Sequence, residues 1–112
     1  MSNHTIVIPT QDLAAATAFY RVAWGTKPHT ETPYYVGFNL DGQEIGLNPN
    51  GAHDHMAGPV VYWATDDLEA KVAEVEAAGG TVVRPVTAVG GGTSLALLTD
   101  PAGNQVGFIT QG

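Results

Sequence analysis

Few side chains in this sequence could carry out acid–base chemistry or bind a metal. Glu44 is the one acid predicted on a sheet face that also carries Tyr35, and a carboxylate beside a phenol can move protons. His53, Asp54 and His55 bring two imidazoles and a carboxylate together, a set that can hold Zn²⁺ or Ni²⁺ weakly. Alternation or a turn would point the two imidazoles apart, and nothing nearby supplies a further fixed ligand, so a structural or solvent-exposed role is favoured for both histidines.

The composition narrows the partners that these side chains can have. The chain has 112 residues, no cysteine, four Lys and Arg residues and eleven acids, giving a formal net charge of −7. This charge argues against nucleic acid, whose phosphates attract basic proteins. The start of the chain does not resemble a secretory signal, and no apolar run is long enough to span a bilayer. We therefore expect a cytoplasmic protein that binds neither nucleic acid nor membrane.

The sequence contains an internal repeat that explains how its side chains are positioned. Residues 10–13 (TQDL) match residues 65–68 (TDDL), and residues 42–47 (GQEIGL) match residues 103–108 (GNQVGF). A unit that occurs twice indicates a duplicated supersecondary structure, because a solenoid needs at least three copies.

Each half is predicted to contain a strand, a helix and three further strands. Asp12 and Asp67 are typical helix N-caps, and Gly25 and the pair Gly79-Gly80 are typical helix ends. Asp41-Gly42 predicts a two-residue hairpin turn in the first half, and residues 100–103 predict the corresponding turn in the second. We expect an α+β fold, in which residues 1–112 form a single domain of two βαβββ modules. Their expected ranges are about 1–52 and 58–112, with a linker over 49–59.

Alternation along the strands predicts which side chains pack under the helices. The expected helix side holds Val36, Phe38, Leu40, Ile45 and Leu47 in the first half and Leu95, Leu97, Val106 and Phe108 in the second, and it also takes Trp24 and Trp63. The opposite face of each sheet, called the open face here, carries small residues at Gly37, Gly46, Ala96 and Gly107. A strand glycine marks either a close approach by another group or a bend, and both alternatives stay open.

The repeat and the Asp100-Pro101-Ala102-Gly103-Asn104 turn together resemble the vicinal oxygen chelate superfamily, which includes glyoxalase I, extradiol dioxygenases and bleomycin-resistance proteins. The chain is most similar to its small bleomycin-resistance-like members. The resemblance covers nearly the whole chain. It implies curled mixed sheets around a ligand cavity, helices on the outer faces and a homodimer.

The resemblance also implies where a divalent metal would bind. The family's ligand positions correspond to Thr5, Gly46, Val60 and Gly107, and none of these residues is a competent ligand. A one-residue slip offers His4, Leu47, Pro59 or Phe108, which still leaves fewer than three ligands. We therefore expect no metal and no other cofactor, and we expect metal-dependent glyoxalase or dioxygenase activity to be absent.

The leading hypothesis is a metal-free protein that binds or sequesters a small aromatic or cationic organic molecule, as antibiotic-resistance proteins of this family do. If Glu44 is buried, it needs a partner, a proton or a cationic ligand group, because an unpaired buried carboxylate is costly. The expected ligand-binding side chains are Tyr35, Asn39, Glu44, Asn48, Val60, Tyr62, Ser94, Leu98, Gln105 and Ile109.

Two alternatives remain on sequence grounds. One is a metal-independent isomerase, epimerase or lyase in which Glu44 is the general base and Tyr35 or Tyr62 donates the proton. The other is a structural or regulatory dimer without a small ligand. His29, on a weak edge strand, is expected to be a surface residue. The glycines at positions 90–92 resemble a phosphate-binding loop only in composition, and a flexible loop is favoured there.

Overall fold

Residues 3–111 form two helices and eight strands. The structure is a computed structural model that describes residues 3–111. The elements in chain order are β1 (Asn3–Pro9), α1 (Leu13–Trp24), β2 (Thr30–Glu31), β3 (Val36–Leu40), β4 (Gln43–Asn48), β5 (Val60–Ala64), α2 (Leu68–Ala77), β6 (Thr81–Gly90), β7 (Thr93–Thr99) and β8 (Gln105–Gln111).

The chain divides into two compact units that have the same internal order. Residues 5–59 form the first unit, and the described residues 3–4 and 60–111 form the second. In the first unit the strands lie in the order β2-β3-β4-β1, and in the second they lie in the equivalent order β6-β7-β8-β5. The first strand of each unit is parallel to the last, and the other pairings are antiparallel. This arrangement confirms the predicted α+β fold with two βαβββ repeats and mixed sheets.

Both helices begin at the predicted aspartates. The Asp12 carboxylate accepts a hydrogen bond from the backbone N–H of Ala15 at 3.0 Å, and that of Asp67 accepts from Ala70 at 3.1 Å. These bonds satisfy N–H groups that have no partner within the helix. Helix α1 ends at Gly25, whose φ of 65° lies in the left-handed region that glycine adopts without strain.

The core of the first unit lies between α1 and its sheet, as the alternation predicted. Val36, Phe38 and Leu47 are buried there under one face of α1. The ring of Trp24 stacks on Tyr20 at 4.2 Å between centroids and meets Phe38 edge-on at 5.0 Å. Trp24 therefore fills the core, which confirms the expectation for this residue.

The core of the second unit corrects the predicted faces of β7. Helix α2 packs its Leu68 and Val72 against Ala96, Leu98 and Phe108, with Trp63 and Val106 alongside. Leu95 and Leu97 pair with Ile109 and Gly107 and lie on the open face instead. The assignment of Val106, Phe108 and Trp63 to the helix side is confirmed, whereas that of Leu95 and Leu97 is wrong. Ser94 and Leu98, expected on the open face, lie on the helix side.

The cause of this error is the length of the turn before β8. The backbone N–H of Asp100 donates to the Asn104 carbonyl at 2.8 Å, so three residues form the loop between them. Gly103 has a φ of 91°, as a three-residue hairpin loop requires. A turn of four residues followed by a strand starting at Asn104 would shift the pairing by one position. One position of slip moves every side chain of a strand to the other face.

The Asp100 side chain holds this loop together. Its carboxylate accepts hydrogen bonds from the backbone N–H groups of Ala102 and Asn104, both at 2.9 Å, and from the Asn104 amide at 3.2 Å. The bonds from Asn104 are the main reason that the pKa of the Asp100 carboxyl lies below its ordinary value.

We expect Asp100→Ala to destabilise the protein at neutral pH. Because the pKa of Asp100 is lowered in the folded state, its contribution is complete above the unfolded pKa of about 3.9 and is lost as the pH falls through the folded pKa. Urea denaturation of both proteins between pH 7 and pH 2 measures this effect. The difference between them should shrink towards zero at the acid end. Asp66→Ala, which changes an exposed acid outside the turn, is the control, and an equal loss there would contradict the assignment.

Gly90 at the end of β6 and the two residues of the loop to β7, Gly91 and Gly92, all have positive φ. The loop connects two strands and no helix follows it, so it lacks the helix N-terminus that a phosphate-binding loop uses. Within residues 3–111, neither helix is long and apolar enough to cross a membrane.

Candidate functional site

The open face of the first unit brings the predicted residues Tyr35 and Glu44 together. Gly37 pairs with Gly46 and Asn39 pairs with Glu44 across β3 and β4, so these four positions alternate with the core residues of the same strands. Tyr35 immediately precedes β3. The two-residue turn at Asp41 and Gly42 fixes this register, which the sequence predicted correctly.

Gly37 forms the floor of a three-residue cluster. A Cβ atom placed on Gly37 would lie 2.6 Å from Oε2 of Glu44, 2.8 Å from Cε2 of Tyr35 and 3.0 Å from Nε2 of His29. Real Cβ atoms do not approach other atoms this closely, so only glycine allows the three side chains to meet here. We call Tyr35, Glu44 and His29 the open-face cluster.

Both oxygens of the Glu44 carboxylate have partners in the cluster. Nε2 of His29 lies 2.7 Å from Oε1, and the Tyr35 hydroxyl donates a short hydrogen bond to Oε2. The Glu44 side chain is 25% exposed and that of His29 is 47% exposed. Glu44 is therefore neither unpaired nor fully in solvent, and its own chain supplies the partners that a buried carboxylate requires.

The Tyr35 phenol keeps its proton. Burial raises the pKa of Tyr35 well above its ordinary value, and the hydrogen bond to Glu44 and the charge of that carboxylate raise it further. A phenol whose pKa is raised in this way is a stable hydrogen-bond donor and a poor proton donor in a reaction. Tyr35 consequently suits a role that holds Glu44 in place.

His29 is the member of the cluster that sequence reasoning did not select. It was expected at the surface, and it is half-exposed, but its ring lies over Gly37 and contacts Glu44. His29 immediately precedes β2 instead of lying on it, and β2 has only two residues, which is too short for alternation to show a direction. The sequence feature that points to this contact is Gly37, because a strand glycine leaves space for a neighbouring side chain.

The expected ligand-binding residues Asn39 and Asn48 have local structural roles. Oδ1 of Asn39 accepts from the backbone N–H of Gly42 at 2.9 Å and so closes the hairpin turn. Nδ2 of Asn48 donates to Oδ2 of Asp54 at 3.0 Å, and its Oδ1 accepts from Asn50 at 2.8 Å. Asn48 thereby fastens the start of the linker to β4.

His53 and His55 lie in this linker and do not form a metal site. Nδ1 of His53 is 3.2 Å from Oδ1 of Asp54, and the His53 side chain is 89% exposed. His55 has a positive φ of 64°. In the described part of the chain, no group of three or more His, Asp or Glu residues is arranged to hold a metal ion.

The open face of the second unit is mainly apolar. Tyr62 lies directly opposite Gly107 in the parallel pair β5 and β8, and a Cβ atom on Gly107 would overlap the Tyr62 ring. Leu97 takes the place that Gly37 has in the first unit, which corrects the expected equivalence of Gly37 with Ala96. The face includes the predicted residues Val60, Tyr62, Gln105 and Ile109.

The positions that the family resemblance assigns to a metal do not fit one. Thr5 and Val60 offer a hydroxyl and a methyl-bearing side chain, and neither is a usual ligand for a divalent ion. A side chain at Gly46 would overlap the ring of Tyr35, and one at Gly107 would overlap that of Tyr62. The space left by the two glycines is thus filled by tyrosine rings.

A separate groove of about 770 Å³ lies beside α1 in the first unit. It runs between the helix and residues 31–33, and its charged side chains are Arg21 and Glu31. Neither Tyr35 nor Glu44 lines it, and its walls are otherwise mostly apolar, with residues such as Leu13, Val22 and Pro33. The open-face cluster is therefore the candidate site for chemistry, because it brings a carboxylate, an imidazole and a phenol into contact.

Comparison with known proteins gives one family and one fold. The model of the glyoxalase/bleomycin resistance protein/dioxygenase superfamily matches residues 2–108. The putative glyoxylase CFP32 of Mycobacterium bovis and that of Mycobacterium tuberculosis are each 31% identical over 114 residues. These matches cover 90% of this chain and 42% of each relative, so the chain spans less than half the length of the curated relatives.

Three solved structures show the same fold at low identity. A protein described as an NAD-dependent benzaldehyde dehydrogenase from Legionella pneumophila has a TM-score of 0.80 at 16% identity, covering 99% of this chain and all of that one. A variant of methylmalonyl-CoA epimerase from Streptomyces coelicolor, in complex with 2-nitronate-propionyl-CoA, has a TM-score of 0.71 at 18% identity. The match covers 99% of this chain and 94% of that one. A glyoxalase/bleomycin resistance protein/dioxygenase superfamily member from Vibrio splendidus has a TM-score of 0.72 at 17% identity, and the match covers 97% of this chain and 98% of that one. The different activities in these descriptions show that the fold alone does not decide the reaction.

Proposed function

Because the chain belongs to the glyoxalase/bleomycin resistance protein/dioxygenase superfamily, we propose that it binds a small aromatic or cationic organic molecule at the open-face cluster. The observation that carries this proposal is the Glu44 carboxylate, held by Tyr35 and His29 over the Gly37 floor and still 25% exposed. A positively charged or N–H-bearing ligand group can share this carboxylate, and an aromatic ligand can pack on the Tyr35 ring. The net charge of −7 favours cations over anions.

A thermal-shift screen tests this proposal. The panel contains antibiotics, aromatic amines and neutral aromatic metabolites, each at several concentrations. A ligand present at one hundred times its Kd stabilises the folded state by about 2.7 kcal/mol, which raises the melting temperature by about 10 °C.

Glu44→Gln identifies the site of any hit. A hydrogen bond to a charged group contributes about 1.5–3 kcal/mol, so this variant should bind roughly ten- to a hundredfold more weakly. Glu76→Gln removes an exposed acid on α2 and serves as the matched control. No hit from a broad panel, or equal binding by Glu44→Gln and the wild type, would count against the proposal.

A second candidate function is a metal-independent isomerase, epimerase or lyase. It is favoured by the contact of Glu44 with both an imidazole and a phenol, which a simple binding site does not need. The fold shared with methylmalonyl-CoA epimerase is compatible with this class, since epimerisation removes a proton and returns it. The homodimer and the cytoplasmic location stay predictions from the sequence.

A further inference from the structure

Hydrogen bonds connect the Glu44 carboxylate to the His29 ring and connect that ring to the Thr30 hydroxyl. Nε2 of His29 is 2.7 Å from Oε1 of Glu44, and Nδ1 of the same ring is 2.8 Å from the Thr30 hydroxyl. Thr30 pairs with Gly37, and the backbone N–H of His29 donates to the Gly37 carbonyl at 2.9 Å. The imidazole is therefore positioned by its backbone and by both ring nitrogens.

The Thr30 hydroxyl allows His29 to change its protonation. A hydroxyl both donates and accepts, so it can donate to an unprotonated Nδ1 or accept from a protonated one. Nε2 can likewise donate to the Glu44 carboxylate or accept from its protonated form. Transfer of a proton between Oε1 and Nε2 therefore keeps a hydrogen bond between these two atoms.

His29 is also the member of the cluster best placed to exchange protons with water. Its side chain is 47% exposed, compared with 25% for Glu44. Imidazole is the side chain whose ordinary titration lies closest to neutral pH. The Tyr35 hydroxyl already donates to Glu44, and burial favours its protonated form, so it does not supply this exchange.

We propose that His29 is the proton-exchange partner of Glu44, and that the two side chains act as one acid–base pair on a substrate with an acidic C–H bond beside a carbonyl group. This inference rests on the second candidate function. It makes His29, and not a tyrosine, the second member of the acid–base pair, and it leaves Tyr35 as the residue that positions the carboxylate.

The proposed steps balance without a metal or a redox partner. When Glu44 takes the proton, the substrate C–H bond breaks, its electron pair forms an enolate, and an O–H bond forms on the carboxyl. Return of the proton to carbon regenerates the carboxylate. For exchange with solvent, the proton on Oε1 of Glu44 passes to Nε2 of a neutral His29 ring that carries its own proton on Nδ1. The Oε1–H bond breaks as the Nε2–H bond forms, and the products are a carboxylate and an imidazolium. The imidazolium then releases a proton to water.

Deuterium exchange into small carbonyl compounds tests this pair. The probes are α-branched acyl thioesters and 2-oxo acids, and the reading is loss of the α-proton signal by ¹H NMR in D₂O. The wild-type protein should accelerate exchange of at least one probe. Glu44→Gln should slow it by about 10²–10⁴-fold, the range for a general acid–base catalyst. His29→Gln should slow it at least tenfold, and the double variant should be no slower than Glu44→Gln alone, because the two residues act as a unit.

Imidazole rescue separates proton exchange from a structural role. The half-exposed position of His29 leaves room for free imidazole, which should restore exchange several-fold in His29→Ala and should not restore it in Glu44→Gln. His53→Gln, an exposed histidine in the linker, is the control and should match the wild type with or without imidazole. If His29→Ala does not fold, His29→Asn takes its place in the same measurement.

The failures of the two ideas are distinguishable. Catalysed exchange that is unchanged in His29→Gln, or that imidazole fails to restore in the folded His29 variant, would overturn the role of His29 and leave Glu44 as the base. Absence of catalysed exchange with every probe would overturn the acid–base function and the inference with it. Ligand binding could still be measured in the thermal-shift screen.

Discussion

Phe38→Ala is expected to lower the free energy of unfolding by about 3–5 kcal/mol. Phe38 is fully buried between α1 and β3, where it contacts the edge of the Trp24 ring and lies beside Leu47. Alanine would leave a cavity that the helix and the sheet can close only in part, because protein cores are close-packed. Urea denaturation followed by circular dichroism measures the change.

Phe19→Ala is the matched control for this substitution. Phe19 also lies on the first unit, in α1, but it is 64% exposed, so its removal should change the stability by less than about 1 kcal/mol. Equal effects of the two substitutions would contradict the placement of the core between α1 and the sheet. Because the open-face cluster lies on the other side of the same sheet, that result would also undermine the site.

Gly107→Ala is expected to destabilise the protein by about 1–3 kcal/mol, the usual cost of overpacking a core. The new methyl group would overlap the near side of the Tyr62 ring, which is buried and directly opposite on β5. Gly58→Ala serves as the control, because a Cβ atom there meets no atom within 4 Å. A stability loss at Gly107 no larger than at Gly58 would show that the ring does not fill this space.

Gly46→Ala should cost less stability and should affect the candidate site more. The atoms that the new methyl group meets belong to the outer end of the Tyr35 ring, which can turn away. Turning breaks the hydrogen bond from Tyr35 to Glu44. The same reasoning applies to larger side chains, so a histidine or glutamate introduced at Gly46 would displace Tyr35 before it could bind a metal.

The sequence predicted the elements and the first unit because its signals there are local and unambiguous. Asp12 and Asp67 begin the helices, and a two-residue turn at Asp41 and Gly42 permits only one pairing of β3 with β4. The open face that carries Tyr35 and Glu44 follows directly from that pairing. The family resemblance rested on the same repeat and is confirmed by the family model.

The predictions are wrong or incomplete where a shift of one residue in strand pairing, or a contact between residues distant in sequence, determines where a side chain lies. The loop closed by Asp100 and Asn104 has three residues where the sequence predicts a turn of four, and this difference put Ser94 and Leu98 on the wrong face of β7 in the prediction. The sequence left open whether the strand glycines mark a close approach or a bend, and in the structure the chain's own tyrosines approach Gly46 and Gly107. Contact between His29 and Glu44 joins residues fifteen positions apart, and His29 lies just before a two-residue strand, where no alternation predicts its direction.

In both units a tyrosine ring covers a glycine of the last strand, but the tyrosine comes from a different position in each unit. At Gly46 the aromatic ring comes from Tyr35, which immediately precedes β3, whereas at Gly107 it comes from Tyr62 on β5, the counterpart of β1. The ring that covers the strand glycine therefore comes from the β3 side of β4 in the first unit and from the β5 side of β8 in the second. An equivalent strand order thus does not give the two open faces equivalent side chains.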